Sequence, residues 1–505
     1  MELLEPLKLA LRGEAKATIE AIQPYMDSEI PSYLTLEAHI IYAFILNRIG
    51  KFEEAQKSLK IFPKYFNHIA QSFHRGGDLS NRETELFCLF LLVKAFLNIK
   101  LGKLGDAEIQ LEHASYQVPN IDNIWTKNVM KGVYYNEVGL LYWKMGKYDE
   151  SIKSHEKAIS IMSNSVNEVL GIAYNDLSIS YFEMGKYKES LDSLEKAIPL
   201  LETNNSMQDY GYAIGNMGRV YRAMGELGKA KNYALKSLEI KQNVGNTLDI
   251  AVEYRNLGLL ELYAGHFDES KTYFMKSLEL RQQIENPIDL SESLYYLIIL
   301  GLEHRNPKSL GIELKNYHEM LANLTKESDH SLIMDRYNLS TAILLTYSDN
   351  SDDISKSSSL LNSIISKKSV QDDIRLTAEI YNSQLLIDYL EKNNEPGKLK
   401  EFQRHIDNMK HHARKNHLYG LLIEVYILQS RFERLQNNEK GSKKALNAAM
   451  QICNQKSLDL LLRKVEVEYQ ELDTRSENES DEVEIGLNDL KSYLKSISSG
   501  LNIFG

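Results

Sequence analysis

The sequence predicts an all-α fold, a solenoid of antiparallel helix pairs, and three observations carry that prediction. Four stretches repeat one pattern every 39 or 40 residues: Val138-Gly139-x-x-Tyr142-x-x-x-Gly146-x-Tyr148-x-x-Ser151, Leu177-Ser178-x-x-Tyr181-x-x-x-Gly185-x-Tyr187-x-x-Ser190, Met217-Gly218-x-x-Tyr221-x-x-x-Gly225-x-Leu227-x-x-Ala230 and Leu257-Gly258-x-x-Glu261-x-x-x-Gly265-x-Phe267-x-x-Ser270. Seven residues beyond each comes a small residue followed by an aliphatic one: Ala158-Ile159, Ala197-Ile198, Ser237-Leu238 and Ser277-Leu278. Within each repeat the apolar residues fall at helical spacing. A fixed period of this length marks a stack of similar modules, each packing on its neighbours, whose product is a surface.

One repeat can be built residue by residue. Val138, Leu141, Tyr142 and Met145 share a face of the first helix, and Tyr148, Ile152, Ala158 and Ile159 supply the second. Gly146 stands where the first helix must stop, because glycine takes the left-handed conformation without a Cβ clash. Asp149-Glu150, Lys188-Glu189 and Asp268-Glu269 place acids in the first turn of the next helix, where its dipole favours them. Asn-rich turns such as Thr203-Asn204-Asn205-Ser206 separate the repeats. Gly139, Gly218 and Gly258 fall in mid-helix, at a cost of about 1 kcal/mol each relative to alanine. Close approach of the paired helix explains why that cost recurs; Ser178 fills the same slot in the second repeat.

The small residue three before an aromatic, the turn glycine and the small residues of the second helix resemble the tetratricopeptide repeat. The period of 40 is similar to the longer repeats of kinesin light chains and Pins-type spindle adaptors. The resemblance implies a right-handed superhelix with the first helix of each repeat lining a concave side.

Along the chain, residues 1–128 read as an N-terminal cap with two divergent repeats, marked by Ala43, Gly50, Phe52 and Ala55 and by Ala95, Gly102, Leu104 and Ala107. Residues 129–284 hold the four clear repeats. Residues 285–346 form a degenerate helical repeat, broken at Asn306-Pro307 instead of at a turn glycine. The polar residues within 347–373 read as a loop or linker. Residues 374–468 resume helical hairpins, with Ala445 and Ala449 in the small slots, and resemble the C-terminal ends of stand-alone archaeal repeat proteins. Residues 469–484 read as an acidic linker, and 485–505 as an amphipathic tail.

Composition narrows the function. A formal charge of −11 argues against a nucleic-acid-coating protein. Cys88 and Cys453 stand alone in apolar contexts, which favours a reducing compartment. The N-terminus, Met1-Glu2-Leu3-Leu4-Glu5, carries acids where a secretory signal has a basic start. The most apolar run, Leu86 to Val93, is far shorter than the roughly 20 residues that a bilayer crossing needs. We therefore expect a cytoplasmic protein without membrane insertion. No phosphate-cradling loop, nucleophile elbow or zinc-protease helix occurs, so no enzyme, cofactor or metal is expected. His411, His412 and His417 lie beside Lys410, Arg414 and Lys415, which reads as a basic helix face.

The resemblance places candidate groove positions on the first helices: Asn136, Glu137 and Trp143; Asn175, Asp176 and Phe182; Asn216, Arg219 and Arg222; Arg255, Asn256 and Tyr263. Asparagine recurs at one height, and its amide suits the backbone of an extended peptide. Acids and aromatics mark the first two repeats and arginines the next two. The expected partner is a protein or peptide with a basic-aromatic end and an acidic end, bound by a scaffold or adaptor. The alternative is a peptide-sensing regulatory receptor without its own DNA-binding domain. The clamp for chaperone carboxylate tails is set aside: its slots hold Ile172/Asp176, Asn216 and Val252/Asn256, and only Asn216 matches.

Overall fold

The computed structural model describes residues 4–11, 14–26, 32–60, 79–163, 167–284, 286–304, 307–328, 330–348, 350–367, 370, 372–393, 395–415 and 418–473. Among these residues every regular element is helical. The chain divides into two compact units, Met1–Val220 with Lys236–Asn246, and Tyr221–Leu235 with Thr247–Gly505. The division therefore runs through the four clear repeats.

The first unit opens with α1 (Leu4–Leu11) and α2 (Ala15–Met26), followed by the pairs α3 (Tyr33–Arg48) with α4 (Phe52–Leu59) and α5 (Asn81–Lys100) with α6 (Leu104–Gln117). The pairs α7 (Ile124–Lys144) with α8 (Tyr148–Met162) and α9 (Asn167–Glu183) with α10 (Tyr187–Thr203) continue it, and α11 (Met207–Ala223) and α12 (Leu227–Val244) span the division. The second unit continues with α13 (Thr247–Tyr263), α14 (Phe267–Ile284), α15 (Pro287–His304), α16 (Pro307–Glu327), α17 (Ser331–Leu345) and α18 (Ser351–Ser366). Then come α19 (Asp372–Lys392), α20 (Pro396–Lys415), α21 (Tyr419–Leu435), α22 (Glu439–Lys456) and α23 (Asp459–Asp473).

The turn glycines behave alike. Gly50, Gly102, Gly146, Gly185, Gly225 and Gly265 all take φ between 69° and 81°. In each case the following residue donates its backbone N–H to a carbonyl five positions back, as Lys147 does to Tyr142, Lys186 to Tyr181 and His266 to Glu261. This left-handed closure satisfies helix-end carbonyls that would otherwise be orphaned. It also explains the fixed spacing between the tyrosine and the glycine in the sequence pattern.

Close approach accounts for the mid-helix glycines. A Cβ on Gly139 would lie 2.5 Å from His155, and one on Gly258 would lie 2.5 Å from Phe274. Both large partners sit sixteen residues after their glycine; the equivalent residue opposite Ser178 is Leu194. The serines of the second helix have a polar task as well. Ser151 Oγ donates to Gly139 O at 2.7 Å, Ser190 to Ser178 O at 2.8 Å and Ser270 to Gly258 O at 2.8 Å. These serines are fully buried, and each hydroxyl finds its acceptor in the carbonyl of the packing residue itself.

Two readings need correction. Residues 347–373 are not a loop, because most of them form α18. Asn350 caps that helix by accepting from Asp352 N, Asp352 and Asp353 favour its first turn, and buried Ser357 donates to Ala342 O at 2.8 Å. Leu361 and Ile364 complete a buried face. One of the serines that looked like loop composition, Ser357, thus occupies a small-residue slot. Second, helix α23 runs to Asp473, into the segment read as an acidic linker from 469. The remainder of that segment and the tail at 485–505 lie outside the described residues.

Gly139→Ala and Gly258→Ala should each lower the denaturation midpoint, by about 1–3 kcal/mol in stability. Gly228→Ala, where a Cβ meets nothing within 4 Å, should be neutral or stabilising by up to about 1 kcal/mol. Urea titrations followed by circular dichroism check the contrast.

Candidate peptide-binding surface

In the first unit the recurring asparagines join successive repeats. His155 Nδ1 lies 2.9 Å from Asn136 Oδ1, and Asn136 Nδ2 donates to Asp176 Oδ2 at 2.9 Å, forty residues on. Asn175 Nδ2 donates to Asp176 Oδ1 at 3.4 Å, and Asn216 Nδ2 to Asn175 Oδ1 at 2.9 Å. Arg219 Nη1 then reaches Asn216 Oδ1 at 3.4 Å, while Nη2 lies 3.8 Å from Glu183. Asn136, Glu137 and Asn175 are buried, and Asp176 and Asn216 are half-buried. An amide with a donor and an acceptor can link two neighbours at once, and here that capacity is divided between contacts within a repeat and contacts to the next.

Beside this ladder stand the half-buried side chains of Trp143, Phe182 and Arg219 and the exposed Lys144. The Arg219 guanidinium lies 4.8 Å from the Phe182 ring centre, and Lys144 Nζ 4.7 Å from that of Trp143. Phe182, Arg219, Asn216, Ile179, Ser178 and Val220 of α9 and α11, with Ser190 of α10, surround a packing gap too narrow to hold a water molecule. Trp143 holds the position equivalent to Phe182 one repeat earlier.

The other sequence candidates lie in the second unit, within different surroundings. Arg255 Nε is 3.5 Å from Glu292, which also meets Arg281 at 2.6 Å and Arg336 at 3.6 Å. Arg281 is fully buried and also donates to Asp289 O at 2.7 Å and Ser293 Oγ at 3.1 Å. Asn256 is buried and donates to Glu253 at 3.3 Å. Arg222 and Tyr263 are half-buried. Nothing in the repeat pattern points to the Glu292 hub: Arg281, Glu292 and Arg336 come from three helices, and only folding brings them together.

The buried charges are strongly biased. Burial, reinforced by the neighbouring Asp176 carboxyl, raises the Glu137 carboxyl to about 8, against a smaller opposing pull from Lys100. Burial also raises Asp176 to about 6, although Asn136 stabilises its charged form. His155 is held neutral, lowered to about 3 by burial. With a neutral ring, Nδ1 must carry the proton that Asn136 Oδ1 accepts. At Glu292 burial opposes ionisation, yet Arg255, Arg281 and Arg336 hold the carboxyl well below the usual range.

Among the described residues, no three His, Cys, Asp or Glu side chains group to hold a metal, and no helix is long and apolar enough to cross a membrane. His411 and His412 lie on α20, where Lys410 donates to Gln429 and Arg414 to Tyr426, both at 2.7 Å. His417 lies outside the described residues.

The raised Glu137 carboxyl sets the sign of a pH effect. Its folded value exceeds its unfolded one, so its contribution is greatest at low pH and is lost as pH rises towards 8. Between pH 6.5 and 8 the native chain should lose roughly 1–2 kcal/mol that Glu137→Gln retains. Urea midpoints of both proteins across that window test this, and parallel slopes would contradict it.

The tetratricopeptide repeat family model matches residues 131–203 and 210–283, and that of anaphase-promoting complex subunit 5 matches residues 42–116 and 385–466. No curated protein matches the sequence. Among solved structures, the apo form of RapI is 14% identical, covering 76% of this chain and 99% of its own, with a TM-score of 0.50. A Rap protein complexed with Competence and Sporulation Factor is 15% identical, covering 82% and 100%, with a TM-score of 0.47. NprR in complex with its cognate peptide NprX is 12% identical, covering 72% and 99%, with a TM-score of 0.49. At these identities the likeness concerns the fold. With its matched repeats, left-handed turn glycines and period of about 40 residues, this chain is a tetratricopeptide-type helical repeat protein.

Proposed function

We propose that the protein is a non-enzymatic interaction scaffold whose first unit binds a peptide segment across α7, α9 and α11. The observation that carries this reading is the half-buried stack of Arg219 on Phe182, with half-buried Trp143 at the equivalent place one repeat earlier. Aromatic and arginine side chains in such settings dominate binding energy. The asparagine ladder beneath holds the helices in register, so direct contact with the peptide falls to Trp143, Phe182, Arg219 and the outer edge of Asn216. Glu183 favours a basic group on the ligand, and Arg219 an acidic one. Arg222, Arg255, Asn256 and Tyr263 belong to the second unit.

Panning a displayed peptide library against the full chain, with the Phe182→Ala variant as counter-selection, tests the proposal. Enriched peptides should bind the native protein at least about tenfold more tightly than Phe182→Ala or Trp143→Ala, near 1.4 kcal/mol. Arg219→Glu should select against acidic peptides. Peptides that bind all variants equally would place the site elsewhere. Small-angle scattering with a selected peptide then separates a scaffold, which keeps its dimensions, from a peptide-sensing receptor, which compacts.

A further inference from the structure

In the second unit the last two helices among the described residues, α22 and α23, return to the earliest turns of the same unit. Lys456, at the end of α22, places Nζ 2.6 Å from Glu226 Oε1, a residue 230 positions earlier. Its aliphatic stem rests 3.4 Å from where Gly225 would carry a Cβ. Arg463 of α23 stacks on Phe267 at 5.5 Å, and its guanidinium lies 3.4 Å from the corresponding point on Gly265. Lys464 Nζ sits 2.9 Å from Glu303 and 3.0 Å from Glu424. Gly225 and Gly265 are the left-handed turns of successive repeats, so Glu226 and Phe267 lie along one edge of the unit.

The chemistry of this seam is lopsided. One side offers acids, an aromatic ring and glycines that let side chains lie flush; the other offers three cations within nine residues. The apolar share is narrower, with Leu460 joining the core that contains Leu259 and Leu262. Burial alone would discharge Lys464, but Glu303 and Glu424 hold it protonated. Simple undocking would take Lys464 from the half-buried Glu303 and leave Glu226, among the described residues, only Lys229, 4.0 Å away, which is costly. Exchange for another cationic helix keeps them paired.

We propose that the strip formed by Glu226, Phe267 and Glu303 is a docking surface for a lysine- and arginine-bearing helical segment, occupied here by the chain's own Lys456–Lys464 corner between α22 and α23 and open to competition from a partner segment of the same chemistry. This surface lies wholly in the second unit and does not depend on the peptide reading of the first.

The probe is a fluorescent peptide of residues 452–473 added to the full chain. Lys456→Glu with Arg463→Glu should free the strip and bind the peptide at least tenfold more tightly than the native protein, and adding Glu226→Lys should abolish that gain. Equal affinity of native and double variant, or no binding by either, overturns the proposal. Should the double variant lose helicity, hydrogen exchange on the native chain decides. Raising NaCl from 0.05 to 0.5 M should speed exchange at residues 456–464 and 224–228 at least threefold, and unchanged protection overturns the proposal equally.

Discussion

In these repeats the second helix lies so near the first that no β-carbon fits between Gly139 and His155 or between Gly258 and Phe274. That proximity organises much else. It brings Ser151, Ser190 and Ser270 within hydrogen-bonding reach of the carbonyl on the packing residue, so one small side chain meets both a steric and a polar demand. It also requires a tight reversal, which the left-handed glycines provide. Because a stacked array is stabilised by contacts within and between neighbouring modules, small gains repeated along the chain add up.

The polar interior follows from the same stacking. First helices of adjacent repeats lie side by side, so a side chain three residues before one packing position meets the side chain two residues before the next, about forty residues away. Asn136 and Asp176, and Asn175 and Asn216, are such pairs. Buried acids in this setting protonate readily unless a cation is near, as Glu137 and Asp176 illustrate. Glu292 shows the opposite outcome, with three arginines around one carboxyl. Which of the two a buried acid experiences depends on neighbours from other helices.

The sequence pattern made much of the fold legible. The tyrosine-to-glycine spacing predicted the reversals, and Ala43, Ala55, Ala95 and Ala107 marked small-residue slots that are fully buried. It failed at α18, where Asp352, Asp353 and the four serines among residues 355–359 resemble a loop by composition. There a single buried face, with Ser357 bonded to Ala342 and Leu361 beneath, outweighs weak intrinsic helix propensity. The candidate surface was less legible. Asn136, Asn175 and Asn256 are correctly on first helices, but periodicity cannot say whether an amide faces solvent or the next repeat.

What the sequence determined alone is therefore the module: two helices, a glycine reversal and a packing slot, all set by interactions within about twenty residues. Tertiary structure decided the long-range partners of buried polar groups, including the ladder from His155 to Arg219, the Glu292 hub and the return of Lys456 to Glu226. The physical reason is range. Backbone conformation and helical period are local, whereas desolvation and ion pairing depend on side chains that stacking brings together from 40 to 230 residues apart.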